Sequence, residues 1–426
     1  MADEIAVSAL RKVRWRLIPF LFLLYIVAYL DRVNVGFAAI DMNRDLGFSA
    51  AIYGLGSGIF FLSYTLLEVP SNLMLARVGA RLWIARIMLT WGVLSTAMVF
   101  VNSPASFYTI RFLLGAAEAG FFPGVILYLT QWFPQRERAR AVGLFMTATA
   151  MAGVIGAPLS SALLRMDGVW GLHGWQWLFI VEGVPAILLV PVVLLYMTER
   201  PADAKWLTVD EHDWLAREMQ AEHAATSTSI VTLRGALGTT RLWIVSLPYF
   251  CIVIAFYGIA FWLPQLVQSM SSLGSATIVL LSAIPYVAAT LGLVIVGSRS
   301  DRVRERRWHV AGSCLIGAAG FVLTALGPAT PAFALTTLSI AAFGIWGTLG
   351  PFWAIPTAML RGTAAAGGIA LVNSIGNVGG FVGPYLMGWI REASGGFIAG
   401  LLTLAAILIL GAVIVLRLEQ PDERVV

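Results

Sequence analysis

Residues 17–38 read LIPFLFLLYIVAYLDRVNVGFA. A helix needs about 20 apolar residues to cross the hydrocarbon core of a bilayer. This stretch meets that length, and its only charged residues are the adjacent Asp31 and Arg32. The preceding MADEIAVSALRKVRWR is basic and for a moment resembles a signal peptide, but the apolar run continues too far and offers no small-residue cleavage site. The reading is a first spanning helix that is kept.

Working outward, stretches of the same kind lie at roughly 51–75, 82–101, 104–130, 138–163 and 174–197, and, after a polar interval, at 241–268, 275–297, 308–327, 330–354, 362–390 and 396–416. The expectation is an all-α membrane protein of twelve transmembrane helices, arranged as six plus six. Composition agrees: of 426 residues 59% are hydrophobic and only 12% charged, and the mean hydropathy is +0.83. A soluble domain carries roughly 25% charged residues because its surface faces water. A water-soluble enzyme, a disordered chain and a coiled coil are thereby excluded.

Arginines set the expected orientation. With the N-terminus inside, the inner segments hold Arg11, Lys12, Arg14 and Arg16, then Arg77, Arg81 and Arg86, then Arg136, Arg138 and Arg140, and later Arg299 to Arg307. Outside stand only Arg44, Arg165 and Arg391. The bias alternates loop by loop and places both termini in the cytoplasm. The expected division is residues 1–198 as an N-terminal six-helix bundle, 199–240 as a cytoplasmic linker and 241–426 as a C-terminal bundle. In the linker, Thr208 and Glu211 have the spacing of a capping box ahead of an amphipathic stretch through Trp214, Leu215 and Met219.

Several chemistries are not expected. Cys251 and Cys314 lie inside apolar stretches and form no C-x-x-C motif, and the four histidines fall in or beside loops without HExxH spacing, so no metal site and no cofactor is expected. The sequence holds no phosphate-binding G-x-x-x-x-G-K-[ST], and the mixed charge of the linker does not read as nucleic-acid binding.

The halves echo each other. Short basic turns stand between spans two and three (Asn72 to Arg81) and between spans eight and nine (Gly297 to Arg307). Spans five and eleven both carry glycine-rich faces ending in Pro158 and Pro384, and eleven places before each proline stand Thr147 and Asn373. Small residues let helices approach closely, and duplicated units around a cavity are the architecture of alternating-access transporters.

Here the sequence resembles the major facilitator superfamily, whose glycine–aspartate–arginine turn is kept in the second half as Gly297, Asp301 and Arg302 and replaced in the first by Asn72 and Ala76. Within it, Tyr29-Leu-Asp31-Arg32-Val-Asn34, Glu68-Val-Pro70-Ser-Asn72, Val-Gly79-Ala-Arg81-Leu-Trp83 and Arg111-Phe-Leu-Leu-Gly115-Ala-Ala-Glu118 look like the anion:cation symporter family, in its bacterial group that imports tartrate, phthalate, hydroxyphenylacetate and similar carboxylates.

An ionisable residue at mid-membrane is costly unless paired or wet, so each demands an account. Tyr25, Tyr29, Arg32 and Gly36 fall on one helical stripe while Asp31 points elsewhere. A buried guanidinium beside tyrosines is a clamp for a carboxylate, because its planar fork matches two oxygens; the bland alternative is a structural Asp31–Arg32 pair. Arg111 and Glu118 are seven apart and share a face. The resemblance implies that the acidic residue at Glu118 couples protons with Arg111 as its changing partner, and Asp31 is taken as a second proton site; a static pair is the alternative. Glu68, near Arg77 and Arg81, is read as a gate residue with Asp301 and Arg302 opposite. The resemblance also brings Tyr64 and Asn373 into the substrate pocket, and Thr147, Thr149, Tyr257 and Trp353 are further candidates. Glu182 is read as structural.

The expectation is a proton-driven symporter taking up a small organic anion across a bacterial inner membrane, acting as a monomer. An exchanger or drug exporter on the same fold is the rival. A membrane enzyme or receptor would need a catalytic cluster or an added soluble domain, and a channel a filter-like repeat.

Overall fold

The computed structural model describes residues 2–226, 240–359 and 363–418, and every regular element among them is helical. Span one is a single helix, Ala2–Leu46, which starts well before the apolar run because its Ala-, Glu-, Leu- and Arg-rich opening favours helix. Spans two and three are Ala50–Val78 and Ala80–Ala97, and span six is Gly174–Tyr196. Span seven is Thr240–Gln268, span nine Arg307–Leu326, span eleven Thr363–Ser394 and span twelve Ile398–Arg417.

Four spans are broken. Span four is Pro104–Glu118 and Phe121–Trp132, span five Gln135–Met146 and Ala148–Leu164, span eight Ser275–Leu281 and Ala283–Val303, span ten Pro331–Gly347 and Leu349–Met359. The break in span four turns on Gly120, whose φ of +87° is left-handed, a conformation that only glycine adopts without strain. N-termini are closed by their own side chains: the hydroxyls of Ser49, Ser103 and Thr330 each accept an N–H of the first turn, satisfying donors that have no partner within the helix.

Eleven of the described helical segments are long and apolar enough to span a bilayer. The remaining one, span eleven, has 32 residues, about 48 Å at 1.5 Å per residue. It lowers its hydropathy with Asn373, Asn377 and a run of glycines because it faces protein more than lipid, packing along both span two and span seven.

Spans three and six pack together at one flank, and nine and twelve at the other. The halves meet through spans one and seven, two and eleven, and five and eight. Direct bonds close the face opposite the chain ends: Ala51 N–H donates to Glu392 (2.7 Å), the Tyr53 hydroxyl to the Phe261 carbonyl (2.7 Å) and the Ser161 hydroxyl to the Ala276 carbonyl (2.6 Å). At Gly54 a Cβ would lie 2.6 Å from the carbonyl oxygen of Pro384, so glycine alone permits this approach of spans two and eleven.

The linker forms a helix at Val209–Thr226, and its start has the anticipated capping box: Glu211 accepts the Thr208 N–H (2.9 Å) while the Thr208 hydroxyl accepts that of Glu211 (3.4 Å). Leu215 and Met219 are buried against span one, and Glu211 also accepts from Lys12 (2.7 Å) and Ser8 (2.7 Å). Burial raises the pKa of this carboxyl, but the Lys12 ammonium, the Thr208 N–H and the Ser8 hydroxyl outweigh it and hold the group down to about 2. The rest of the linker (227–239) and the side chains of Arg136 and Arg140 lie outside the described residues.

Candidate functional site

A cavity of about 610 Å³, counted with its open mouth, lies between the halves. Its wall takes Tyr29 and Arg32 from span one, Tyr64 from span two, Tyr257 from span seven, Trp353 from span ten and Asn373 from span eleven. All six were expected at a substrate site, and their spacing explains their meeting: Tyr25, Tyr29 and Arg32 follow the three-and-four rule and project into one space.

Among the described residues Arg32 is the only cation in this wall. Its guanidinium is almost wholly buried and donates to Glu118 through Nε (3.1 Å) and, more closely, through Nη2, while Nη1 donates to the Tyr257 hydroxyl (3.2 Å). The rings of Tyr64 and Phe60 lie 5.2 and 5.5 Å from its central carbon. Only one oxygen of Glu118 is engaged; the other, Oε2, is buried without a partner, as is the Tyr29 hydroxyl. The arrangement holds one positive and one negative charge in a low-dielectric space, where each is costly alone.

Asp31 and Arg32 do not form the local pair held open as the alternative. The Asp31 carboxylate faces span three, accepting from Trp91 Nε1 (2.6 Å) and the Ser95 hydroxyl (2.6 Å). Arg111 does not touch Glu118. Seven residues place the two about 10 Å apart along the helix axis, and Arg111 is spent on the carbonyls of Gly56 (3.3 Å) and Ser57 (3.2 Å) in span two. The partner of Glu118 comes from span one.

Thr147 stands at the break in span five, bonding its hydroxyl back to the Leu144 carbonyl (2.7 Å), and is not part of the wall. Thr149 is, because the break ends one helix and turns the next. Glu68 is buried and joins the halves: Oε1 accepts from Asn373 (2.7 Å) and Oε2 from Asn377 (3.1 Å).

The other residues read as gates sit in the terminal turns of spans two, three and eight, at the face bearing the chain ends. Arg77 is exposed, and the turn through Arg81 is tied down by Glu199, which accepts the N–H groups of Ala80 (2.6 Å) and Arg81 (3.0 Å). Asp301 pairs with Arg306 rather than Arg302, which is exposed. Glu182 accepts from Ser160 (2.6 Å) and links spans six and five.

Sequence reasoning missed Tyr249, Phe122 and Asn377 in the wall. Asn377 is four residues beyond Asn373, and Tyr249, Val253 and Tyr257 are successive fours on span seven, so helical spacing alone would have found all but Phe122. Among the described residues no group of three or more histidine, cysteine, aspartate or glutamate side chains could hold a metal.

Two helical halves sealed on one face and a charged cavity between them define a secondary transporter. The profile of the Major Facilitator Superfamily matches residues 21–370, and the chain belongs to that family. It is 46% identical to an Agrobacterium vitis protein named for tartrate transport, covering 100% of this chain and 94% of that one. It is 41% identical to a quinolone resistance transporter of Acinetobacter baumannii, over 96% of this chain and 94% of that one. Among solved structures, a bacterial homologue of the human lysosomal transporter Spinster, inward-facing and unoccupied, superposes with a TM-score of 0.78 at 18% identity, over 95% of this chain and 96% of that one. That likeness concerns the fold.

Proposed function

We propose that this protein is a proton-coupled importer of a small organic anion, of the anion:cation symporter type, in the cytoplasmic membrane of a bacterium, with both termini inside and the monomer as the working unit. The observation that carries the reading is that Arg32, the sole cation of the cavity wall among the described residues, is already held by Glu118. A substrate carboxylate and Glu118 compete for one guanidinium. A proton on Glu118 releases Arg32 to the substrate, and loss of that proton on the opposite side displaces the substrate as the Arg32–Glu118 pair re-forms. Neither ligand then moves productively without the other.

Asp31 is the second proton site in this proposal: protonation would weaken its hold on Trp91 and Ser95 and free span one to move against span three. Glu68, with its bonds to Asn373 and Asn377, acts as the latch between halves, and Arg77, Arg81, Asp301 and Arg302 act with it from the helix ends as the inner face closes. An anion entering against an inside-negative potential loses about 2.3 kcal/mol per charge per 100 mV. One proton per monoanion makes the cycle electroneutral and a second drives it. The likeness to a quinolone resistance transporter favours a second reading, an exporter running the same competition in reverse.

The test is pH-jump uptake and counterflow in proteoliposomes against a panel of carboxylates and quinolones. Acid-driven anion uptake with matching proton influx supports the import reading. Anion exchange indifferent to protons, or quinolone efflux alone, overturns it.

A further inference from the structure

We infer that Glu182 and Asp31 form one buried proton site in the N-terminal half, and that in this conformation it holds a single proton, on Glu182 and shared with Asn34. The inference deepens the reading of Asp31 as a second proton site and rests on that reading for its part in transport.

The site lies inside the bundle of spans one, three, five and six, and none of its residues lines the cavity. Asp31 and Asn34 come from span one, Trp91 and Ser95 from span three, Ser160 from span five and Glu182 from span six. Asp31 and Asn34 are 1% exposed and Glu182 is 2% exposed. The spans close tightly here: at Gly183, next to Glu182, a Cβ would lie 3.2 Å from that of Ser95. The Glu182 carboxyl feels the charge of Asp31 and has the Asn34 side chain beside it. Two ionised carboxyls in so dry a place repel each other, and such pairs keep a proton.

Which carboxyl holds it follows from the donors. An indole N–H can only donate, so the 2.6 Å bond from Trp91 makes Oδ2 of Asp31 an acceptor. Its Oδ1 accepts from the Ser95 hydroxyl (2.6 Å) and, at 3.4 Å, from the Asn34 amide. Asp31 therefore has donors on both oxygens, and donors stabilise the charged form. Glu182 is served on one side: Oε1 accepts from the Ser160 hydroxyl (2.6 Å), while Oε2 is buried without a partner. The Oδ1 of Asn34 is buried without a partner as well.

A lone acceptor in a dry interior is costly, and one proton removes both deficits. On Oε2 it makes an O–H, and the carbonyl of Asn34, whose N–H side is turned to Asp31, receives it. Asp31 is then the charged member, free to take the second proton that the import cycle needs. Glu182, read from the sequence as structural, keeps the first.

The test is infrared spectroscopy of the full-length protein in liposomes, in a Glu118→Gln background so that Glu118 is silent. At neutral pH and without substrate, a protonated-carboxyl C=O band that shifts in heavy water is expected. Adding Glu182→Gln should abolish it, adding Asp31→Asn should leave it, and adding Asn34→Leu should raise its frequency by removing the acceptor. An unchanged amide band marks each variant as folded. Acidification should add a second band to the background, missing when Asp31→Asn is present. A neutral-pH band lost with Asp31→Asn and kept with Glu182→Gln, or absent from the background altogether, overturns the inference. So does a band that sodium chloride removes and choline chloride does not, since a metal cation then takes the site. A resident band without the second one leaves the proton on Glu182 and overturns Asp31 as a site of transported protons.

Discussion

At the scale of single residues, the proposed cycle turns on one guanidinium, that of Arg32, contested by Glu118 and a substrate carboxylate. Replacing Arg32 by lysine keeps the charge but loses the fork that reaches Glu118 and Tyr257 together, so apparent substrate affinity should drop at least tenfold, about 1.4 kcal/mol; unchanged affinity in a counterflow assay would contradict the clamp. Glu118→Gln removes the competitor and not the clamp. Exchange of labelled substrate should persist while uptake stops responding to an imposed pH gradient. This is also where the sequence was most misleading. Heptad spacing puts Arg111 and Glu118 on one face, but a shared face two turns apart is not a contact, and nothing local shows that span one supplies the partner. The stripe of Tyr25, Tyr29 and Arg32 was legible because a single helix fixes it.

At the scale of elements, the linker helix is held by a box that a short sequence pattern disclosed. Thr208→Ala should cost about 1 kcal/mol of local stability, read as faster amide exchange over residues 209–213 with the spans unaffected. The acid dependence follows from Glu211. Its carboxyl sits near 2 in the folded protein, against about 4.3 for an ordinary glutamate. The stabilisation is therefore complete above the ordinary value and drains away as pH falls from there towards 2. Exchange of this helix should accelerate over that interval, and in Glu211→Gln the acceleration should be absent. The breaks in spans five and eight were not legible, because no glycine or proline stands within two residues of Thr147 or Ser282 to announce them, whereas Gly347, Gly350 and Pro351 flank the break in span ten.

For the whole molecule, twelve spans in two sixes could be counted from the chain because the bilayer sets a minimum length for each. Which face is sealed could not, since the conformation depends on pairings between halves far apart in sequence. Two experiments address it. Gly54→Leu should push span two off span eleven and make a cysteine placed at Ala51 reactive to a maleimide, where the parent with the same cysteine is protected. Cysteines replacing Ser161 and Ala276, in a background lacking Cys251 and Cys314, should cross-link on oxidation and halt transport until reduced. Continued uptake with complete cross-linking would show that this seal need not open.

The unbroken run of span one from Ala2 to Leu46 makes it a lever. Ser8 and Lys12 grip the linker helix at one end, and Arg32 meets the cavity 24 residues from Ser8, about 36 Å away. A tilt of a few degrees at the site is magnified into ångströms at the grip. A pair of fluorophores across Ser8 and the linker helix would work as a strain gauge, reporting each turnover of the buried pair from a place where no substrate goes.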